Sequence, residues 1–135
     1  MTCPVKVDAV AVPSPYDGHG ALEIVRIDYV PRQLTIVARD ANGGAPIGVS
    51  FAGVVAHRVM DERDLAEYWP ACSLPSGWVF FIQSGGWLSQ EMVRPGSCIG
   101  SFYGEVREYL VAGLTDCVSV LCTGEPRFGL ECRSS

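Results

Sequence analysis

The chain has 135 residues, of which 48% are hydrophobic and 19% charged, and its formal net charge is −5. This size and composition are typical of a single globular domain with its own core, and they exclude disordered, collagen-like and coiled-coil chains. No apolar run approaches the roughly 20 residues of a membrane span. The first eight residues lack the basic and apolar regions of a signal peptide. We therefore expect one domain over residues 1–135, located in the cytoplasm.

The negative charge lies in the second half of the chain. Residues 1–60 carry five acids and five bases, whereas residues 61–135 carry ten acids and five arginines. Nucleic acids and anionic membranes are bound by clustered cations, which this sequence lacks, so we expect neither as a partner. A basic or neutral protein partner fits better, although acidity also serves solubility alone.

The six cysteines do not indicate a disulfide framework or a zinc site. They form no C-x-x-C pair, and the sequence has no paired-histidine motif. Cys117 and Cys122 lie an odd number of residues apart in one predicted strand, which places their side chains on opposite faces. We expect reduced, mostly buried thiols, no metal and no cofactor. A catalytic cysteine paired with His19 or His57 stays an alternative without a local signature.

Short β-branched and aromatic runs separated by Gly, Pro, Asn and Asp predict an antiparallel β protein. The predicted strands are Val5–Val12, Leu22–Val30, Gln33–Ala41, Ile47–Val59, Trp78–Gln83, Glu105–Leu114, Cys117–Thr123 and Arg127–Glu131. A slip in the alternation predicts a bulge near Ile24 and Val25. Gly53 permits a bend or a bulge within a run whose apolar face would comprise Ile47, Val49, Phe51, Val55, His57 and Val59.

One helix is predicted over Glu62–Trp69. Asp61 is its expected N-cap, Asp64 stands where a capping-box acid would, and Pro70 ends it. Residues 87–92 fit a strand or a short helix equally well. The fold class is therefore mainly β, a single-domain antiparallel β-sandwich or β-roll with one short α-helix at about 62–69. The expected core includes Trp78, Phe80, Ile82, Tyr109, Val111, Val118 and Val120.

Two histidines are the candidates for a ligand pocket or a minor enzyme at an open end of the β-structure. His19 lies in Asp17-Gly18-His19-Gly20, a loop in which Asp17 could raise the imidazole pKa. His57 lies on the apolar face of a strand. Neither histidine needs a function to account for it, since His19 fits a solvated turn and His57 fits a buried imidazole with a hydrogen-bond partner. No catalytic residue is therefore assigned.

The most distinctive segment, residues 61–70, combines four acids and one base with a Tyr-Trp pair. Aromatic anchors surrounded by acids suit a basic protein partner. The candidate partner-binding residues are Glu62, Asp64, Glu67, Tyr68 and Trp69. Packing of the two aromatics on the sheet, and favourable interaction of the first-turn acids with the helix dipole, are the competing explanations.

Several stretches resemble small uncharacterised bacterial β-rich proteins. They are residues 51–62 (FAGVVAHRVMDE), 84–88 (SGGWL), 107–111 (REYLV) and 116–120 (DCVSV). Some such proteins resemble the immunity proteins that neutralise bacterial toxins, which are single acidic cytoplasmic domains without catalytic groups. The resemblance supports a β-rich fold and a cytoplasmic location more than a function, and it has no functional motif that can be carried over to individual residues.

Overall fold

The computed structural model describes residues 6–15, 22–72, 77–97, 99 and 105–130. This part of the chain contains nine strands, one turn of 3₁₀-helix at Glu62–Asp64 and one α-helix. The strands are β1 (Asp8–Ala11), β2 (Leu22–Val30), β3 (Gln33–Asp40), β4 (Ile47–Ala52), β5 (Val54–Asp61), β6 (Val79–Ser84), β7 (Arg107–Ala112), β8 (Asp116–Cys122) and β9 (Arg127–Leu130). The helix α1 is Trp87–Val93.

The strands form two antiparallel sheets, which confirms the predicted sandwich-like β fold. The five-stranded sheet has the order β1-β6-β7-β8-β5, and the four-stranded sheet has the order β2-β3-β4-β9. An interlayer core of buried apolar side chains from both sheets lies between them. A second cluster covers the outer face of the five-stranded sheet and includes side chains of the segment that packs on it; its buried members are Val7, Leu65, Tyr68, Cys72, Phe80, Ile82, Leu110, Ala112 and Cys117.

The central strands are apolar on both faces because each face of the five-stranded sheet is covered. In β6, Val79 belongs to the interlayer core, whereas Phe80 belongs to the second cluster. Cys122 and Cys117 of β8 likewise lie in the interlayer core and the second cluster, as their odd spacing predicted. All seven predicted core residues are buried.

The predicted strand Ile47–Val59 is two strands that belong to different sheets. The chain leaves β4 and enters β5 at Gly53, whose φ of 66° favours glycine. A register shift between Val54 and Ala56 places Val54 in the interlayer core, so the prediction of Val55 on that face was wrong. His57 and Val59 pair with core residues of β8 and therefore lie on the same face of the sheet as those residues. However, β5 is an edge strand, and Val59 is 48% exposed.

The predicted α-helix over Glu62–Trp69 was wrong. Only Glu62–Asp64 is helical, as one 3₁₀ turn, and residues 66–71 continue as turns. The backbone bonds Leu65 N–H to Glu62 C=O, Tyr68 N–H to Leu65 C=O and Ala71 N–H to Tyr68 C=O each span three residues. A helix this short is marginal by itself, and here side-chain contacts with the sheet favour the tighter turns. The α-helix is instead α1, where the sequence left strand and helix open.

Candidate functional site

The acidic segment, defined here as residues 61–70, lies against the outer face of the five-stranded sheet. Asp61 caps its 3₁₀ turn as predicted, because its Oδ1 accepts a 2.8 Å hydrogen bond from the Arg63 backbone N–H. The Arg63 side chain also donates to both Asp61 oxygens. These hydrogen bonds, led by the side-chain one, lower the pKa of Asp61 to about 2. Asp61 is therefore ionised and engaged within its own turn.

The other acids of the segment differ in exposure. Glu67 is exposed and Glu62 is half-buried. The side chain of Asp64 lies outside the described residues, although its backbone belongs to the 3₁₀ turn. Glu67 is therefore the clearest accessible carboxylate of the candidate set.

The two aromatic side chains of the segment pack on the protein itself. Tyr68 has 0% exposed surface, so in this conformation it has none to offer a partner. Trp69 is half-buried, packs against the second cluster and donates from Nε1 to the Glu62 carbonyl at 2.9 Å. Trp69 alone retains surface at the protein exterior.

A buried carboxylate that the sequence reasoning missed holds this region together. Glu108 of β7 is 1% exposed. Its Oε2 accepts hydrogen bonds from the Tyr68 hydroxyl at 2.7 Å and the Trp87 N–H at 3.1 Å. Its Oε1 accepts from the Leu88 N–H at 2.8 Å. Because the N–H groups of a first helical turn lack intrahelical acceptors, Glu108 caps α1 from another part of the chain.

The same carboxylate explains the glycine that precedes α1. A Cβ on Gly86 would lie 2.7 and 2.8 Å from the two Glu108 oxygens. The backbone of Gly86 is extended, with φ of −100°, so space rather than conformation requires the glycine there. The helix begins at Trp87 because the carboxylate occupies the position of a side-chain cap.

The Arg58 side chain lies next to the hydrogen bonds of Glu108. The Arg58 guanidinium carbon lies 4.6 Å from the centroid of the Trp87 ring, an arrangement that favours a cation–π contact. The charge of Arg58 also lowers the pKa of Tyr68, but burial is the dominant influence and raises that pKa well above its usual range. Tyr68 therefore stays protonated and serves as a donor to Glu108.

An apolar groove borders the acidic segment. It has a volume of about 710 Å³ and runs between the start of β1 and the second half of the segment. Apolar side chains dominate its surface, and Glu67 lies along it with Asp8 and Lys6. The complete lining within the described residues is Lys6, Val7, Asp8, Ala9, Ala66, Glu67, Pro70 and Ala71.

A smaller pocket lies at one end of the sandwich. It has a volume of about 450 Å³, and its described lining is Val12, Phe81, Glu105, Arg107, Tyr109, Glu125 and Pro126. Arg107 lies 3.8 Å from Glu105 and 3.5 Å from Glu125 across exposed ion pairs. Neither histidine is among these lining residues.

Of the two candidate histidines, only His57 lies in the described part of the chain. His57 is half-buried, and its ring lies 4.8 Å from that of Tyr29 at a 41° tilt. This contact closes one edge of the sandwich between β5 and β2. His19 and its loop lie outside the described residues.

The described thiols are buried and poorly suited to nucleophilic chemistry. Burial raises the pKa of Cys72 to about 12, and that of Cys117 and Cys122 to about 11. Reactive cysteines require the opposite shift. Within the residues that the structure describes, no group of three or more His, Cys, Asp or Glu residues is arranged to hold a metal ion. The described part of the chain also contains no helix long and apolar enough to cross a membrane.

Comparison of the chain with models of protein families, with curated proteins and with solved structures gave no match.

Proposed function

We propose that this protein is a non-catalytic, cytoplasmic protein-binding domain that masks a basic partner, as immunity-like proteins do. The acidic segment is the contact region. The observation that carries the proposal is the position of Glu67, an exposed carboxylate on the border of the 710 Å³ apolar groove. A charged rim beside an apolar depression is the usual composition of a protein interface.

Charge supports the choice of a basic partner. The acidic segment carries four acids and one base, and Arg63 is engaged with Asp61. Of the described side chains in the segment, Glu62 and Glu67 remain to attract an incoming cation. Complementary charges of this kind mainly accelerate association, whereas buried contacts slow dissociation.

Rigidity supports a preformed binding surface. Tyr68 anchors the segment to Glu108, and Trp69 is fixed through its bond to the Glu62 carbonyl. A segment held in its bound conformation loses little entropy when a partner arrives. In this proposal Tyr68 is a positioning residue, and the direct contacts come from Glu62, Glu67 and the exposed part of Trp69.

A small-ligand pocket or minor enzyme based on His57 or His19 is the alternative. The 450 Å³ pocket at the end of the sandwich falls within the range of small-ligand sites, but its described lining contains no histidine and its charged side chains already pair with one another. The apolar groove and the exposed Glu67 carboxylate beside it therefore favour protein binding over a small-ligand pocket.

Affinity capture from source cells with three forms of the protein tests the proposal. The first form is the unmodified chain, and the second carries Glu62→Gln, Asp64→Asn and Glu67→Gln. The control carries Glu23→Gln, Asp28→Asn and Glu125→Gln, which removes the same charge from exposed positions elsewhere. We expect a basic protein to be recovered with the unmodified chain and the control, and to be depleted with the triple variant.

Equal recovery of every captured protein by all three forms would contradict the proposal, provided that their thermal unfolding agrees. Asp61 stays unchanged in these variants because it caps the 3₁₀ turn. Its loss would confuse a binding effect with a change in local structure.

A further inference from the structure

We infer that the groove takes an extended segment of the partner chain, which adds as a further strand along the free edge of β1. Basic side chains of that segment meet Glu67 and Asp8, and apolar side chains enter the groove. This inference rests on the proposed function and assigns it a binding mode.

The position of β1 in the sheet is the first argument. Among the described strands β1 pairs only with β6, so its other edge presents backbone N–H and C=O groups that an added strand can satisfy. Val10 and Ala11 on this strand are exposed. Addition of a strand to such an edge is a common mode of peptide recognition.

The shape of the groove is the second argument. Four consecutive residues, 6–9, line one wall, and residues of the acidic segment line the other. Lys6 and Val7 lead directly into β1, and Asp8 and Ala9 begin it, so this wall runs along the start of the edge strand. An occupant of this groove therefore lies beside the β1 backbone.

The length available matches a short strand. The four residues of β1, Asp8–Ala11, span about 13 Å at roughly 3.3 Å per residue. The groove volume of about 710 Å³ lies within the range of recognised ligand sites. About four residues of an extended chain fit this length.

Charge selects a basic partner rather than a second copy of this chain. The groove lining contains Asp8 and Glu67 against Lys6, and Glu62 and Asp64 lie in the adjacent segment. A second copy has a net charge of −5 and would bring its own acidic segment to this place. Like charges brought together at an interface oppose association, whereas lysine or arginine in the incoming strand pairs with the carboxylates.

The probe for this inference is a capped ten-residue peptide whose odd residues are alternately valine and lysine and whose even residues are threonine, so that both apolar and basic side chains lie on the face that meets the groove. It is titrated into the full-length, ¹⁵N-labelled protein while amide resonances are followed. We expect the largest changes at residues 6–11 and 66–71.

Two further peptides carry N-methyl groups on the odd or on the even residues. Because N–H groups alternate sides along a strand, we expect one methylated peptide to lose at least about tenfold in affinity and the other to bind nearly normally.

A groove-filling substitution provides the matched protein variant. In Ala66→Trp the new indole fills the groove, and because Ala66 is exposed the substitution does not disturb the core. The control, Ala45→Trp, adds the same side chain at an exposed position in another loop. We expect Ala66→Trp to abolish peptide binding and Ala45→Trp to preserve it. Thermal unfolding of both variants verifies that each is folded.

Four results would overturn the inference. They are no peptide binding at millimolar concentration, equal binding of both methylated peptides, resonance changes away from the groove, and retention of binding by Ala66→Trp. A dimer that Ala66→Trp dissociates would assign the groove to a second copy. Tighter peptide binding after deletion of residues 1–5 would assign it to the chain itself. After any of these results, the proposed function would still hold if capture of a basic partner depends on Glu62, Asp64 and Glu67.

Discussion

The Tyr68 hydroxyl donates a 2.7 Å hydrogen bond to Glu108, a residue 40 positions later in the chain. The same hydroxyl accepts the Trp87 N–H at 2.9 Å. One phenol therefore joins the acidic segment, the start of α1 and strand β7. This bond fixes the surface that we assign to partner binding, and its loss should be measurable.

Tyr68→Phe removes that donor and leaves the ring in place. We expect the free energy of unfolding to fall by about 1–3 kcal/mol, because the buried Glu108 carboxylate and the Trp87 N–H each lose a partner. Urea unfolding measures the change. Tyr29→Phe, at a ring that is 48% exposed, is the control and should have little effect. Equal stabilities of the two variants would show that the Tyr68 hydroxyl does not hold the segment.

Gly86→Ala tests the close approach of Glu108 to the start of α1. The added methyl group would overlap both carboxylate oxygens and approach Ile82 Cγ2 to 2.9 Å. The carboxylate cannot move aside without breaking its bonds to Trp87 and Leu88, so we expect a loss of about 1–3 kcal/mol by chemical denaturation. Gly129→Ala, with open space around its Cβ, is the control. A loss no larger than that of the control would contradict the packing described here.

The strands were predictable because alternation and turn residues are local signals. The bounds of β2 were predicted correctly, and the register shift between Ile24 and Arg26 confirms the predicted bulge. A bend or a bulge was predicted at Gly53, where the chain leaves β4 and enters β5. The sequence did not predict that the strands before and after Gly53 belong to different sheets, since strand pairing depends on residues far away in the chain.

The Glu108 network was not predicted because its partners come from segments 20 and 40 residues away. A signal was nevertheless present in the sequence. Glu108 alternates with Leu110 and Ala112, both buried in the second cluster, so the pattern alone places a carboxylate on an apolar face. A charge in that position requires donors. The helix over Glu62–Trp69 failed for a related reason, since the contacts of Tyr68 and Trp69 outweigh local helix propensity.

The buried thiols should resist alkylation in the folded protein. With pKa values of about 11 to 12, only about a thousandth or less of each thiol is ionised at pH 8. We expect mass spectrometry after N-ethylmaleimide treatment to find Cys72, Cys117 and Cys122 unmodified. The same treatment in urea should modify all three. Rapid labelling of any of them without denaturant would contradict their burial.

Stability should decline at alkaline pH because the same pKa values are raised. A thiol that ionises less readily in the folded than in the unfolded state contributes stability below the unfolded pKa, near 9, and this is lost as the pH rises through 11 to 12. Cys72→Ala should be less stable at pH 7 and lose less stability between pH 9 and 11 than the unmodified chain. Parallel stability curves for the two proteins over that interval would contradict the direction of the Cys72 shift.

The association rate constant of the captured partner, measured at low and at physiological ionic strength, tests the central claim most directly. The comparison is between the chain with Glu62→Gln, Asp64→Asn and Glu67→Gln and the control with Glu23→Gln, Asp28→Asn and Glu125→Gln. We expect the first variant to associate about tenfold more slowly at low salt and to lose most of its salt dependence, because it lacks the charges that steer the encounter. The control should stay close to the unmodified chain. Equal association rates and equal salt dependence for both variants, with both folded, would remove the acidic segment from the interface.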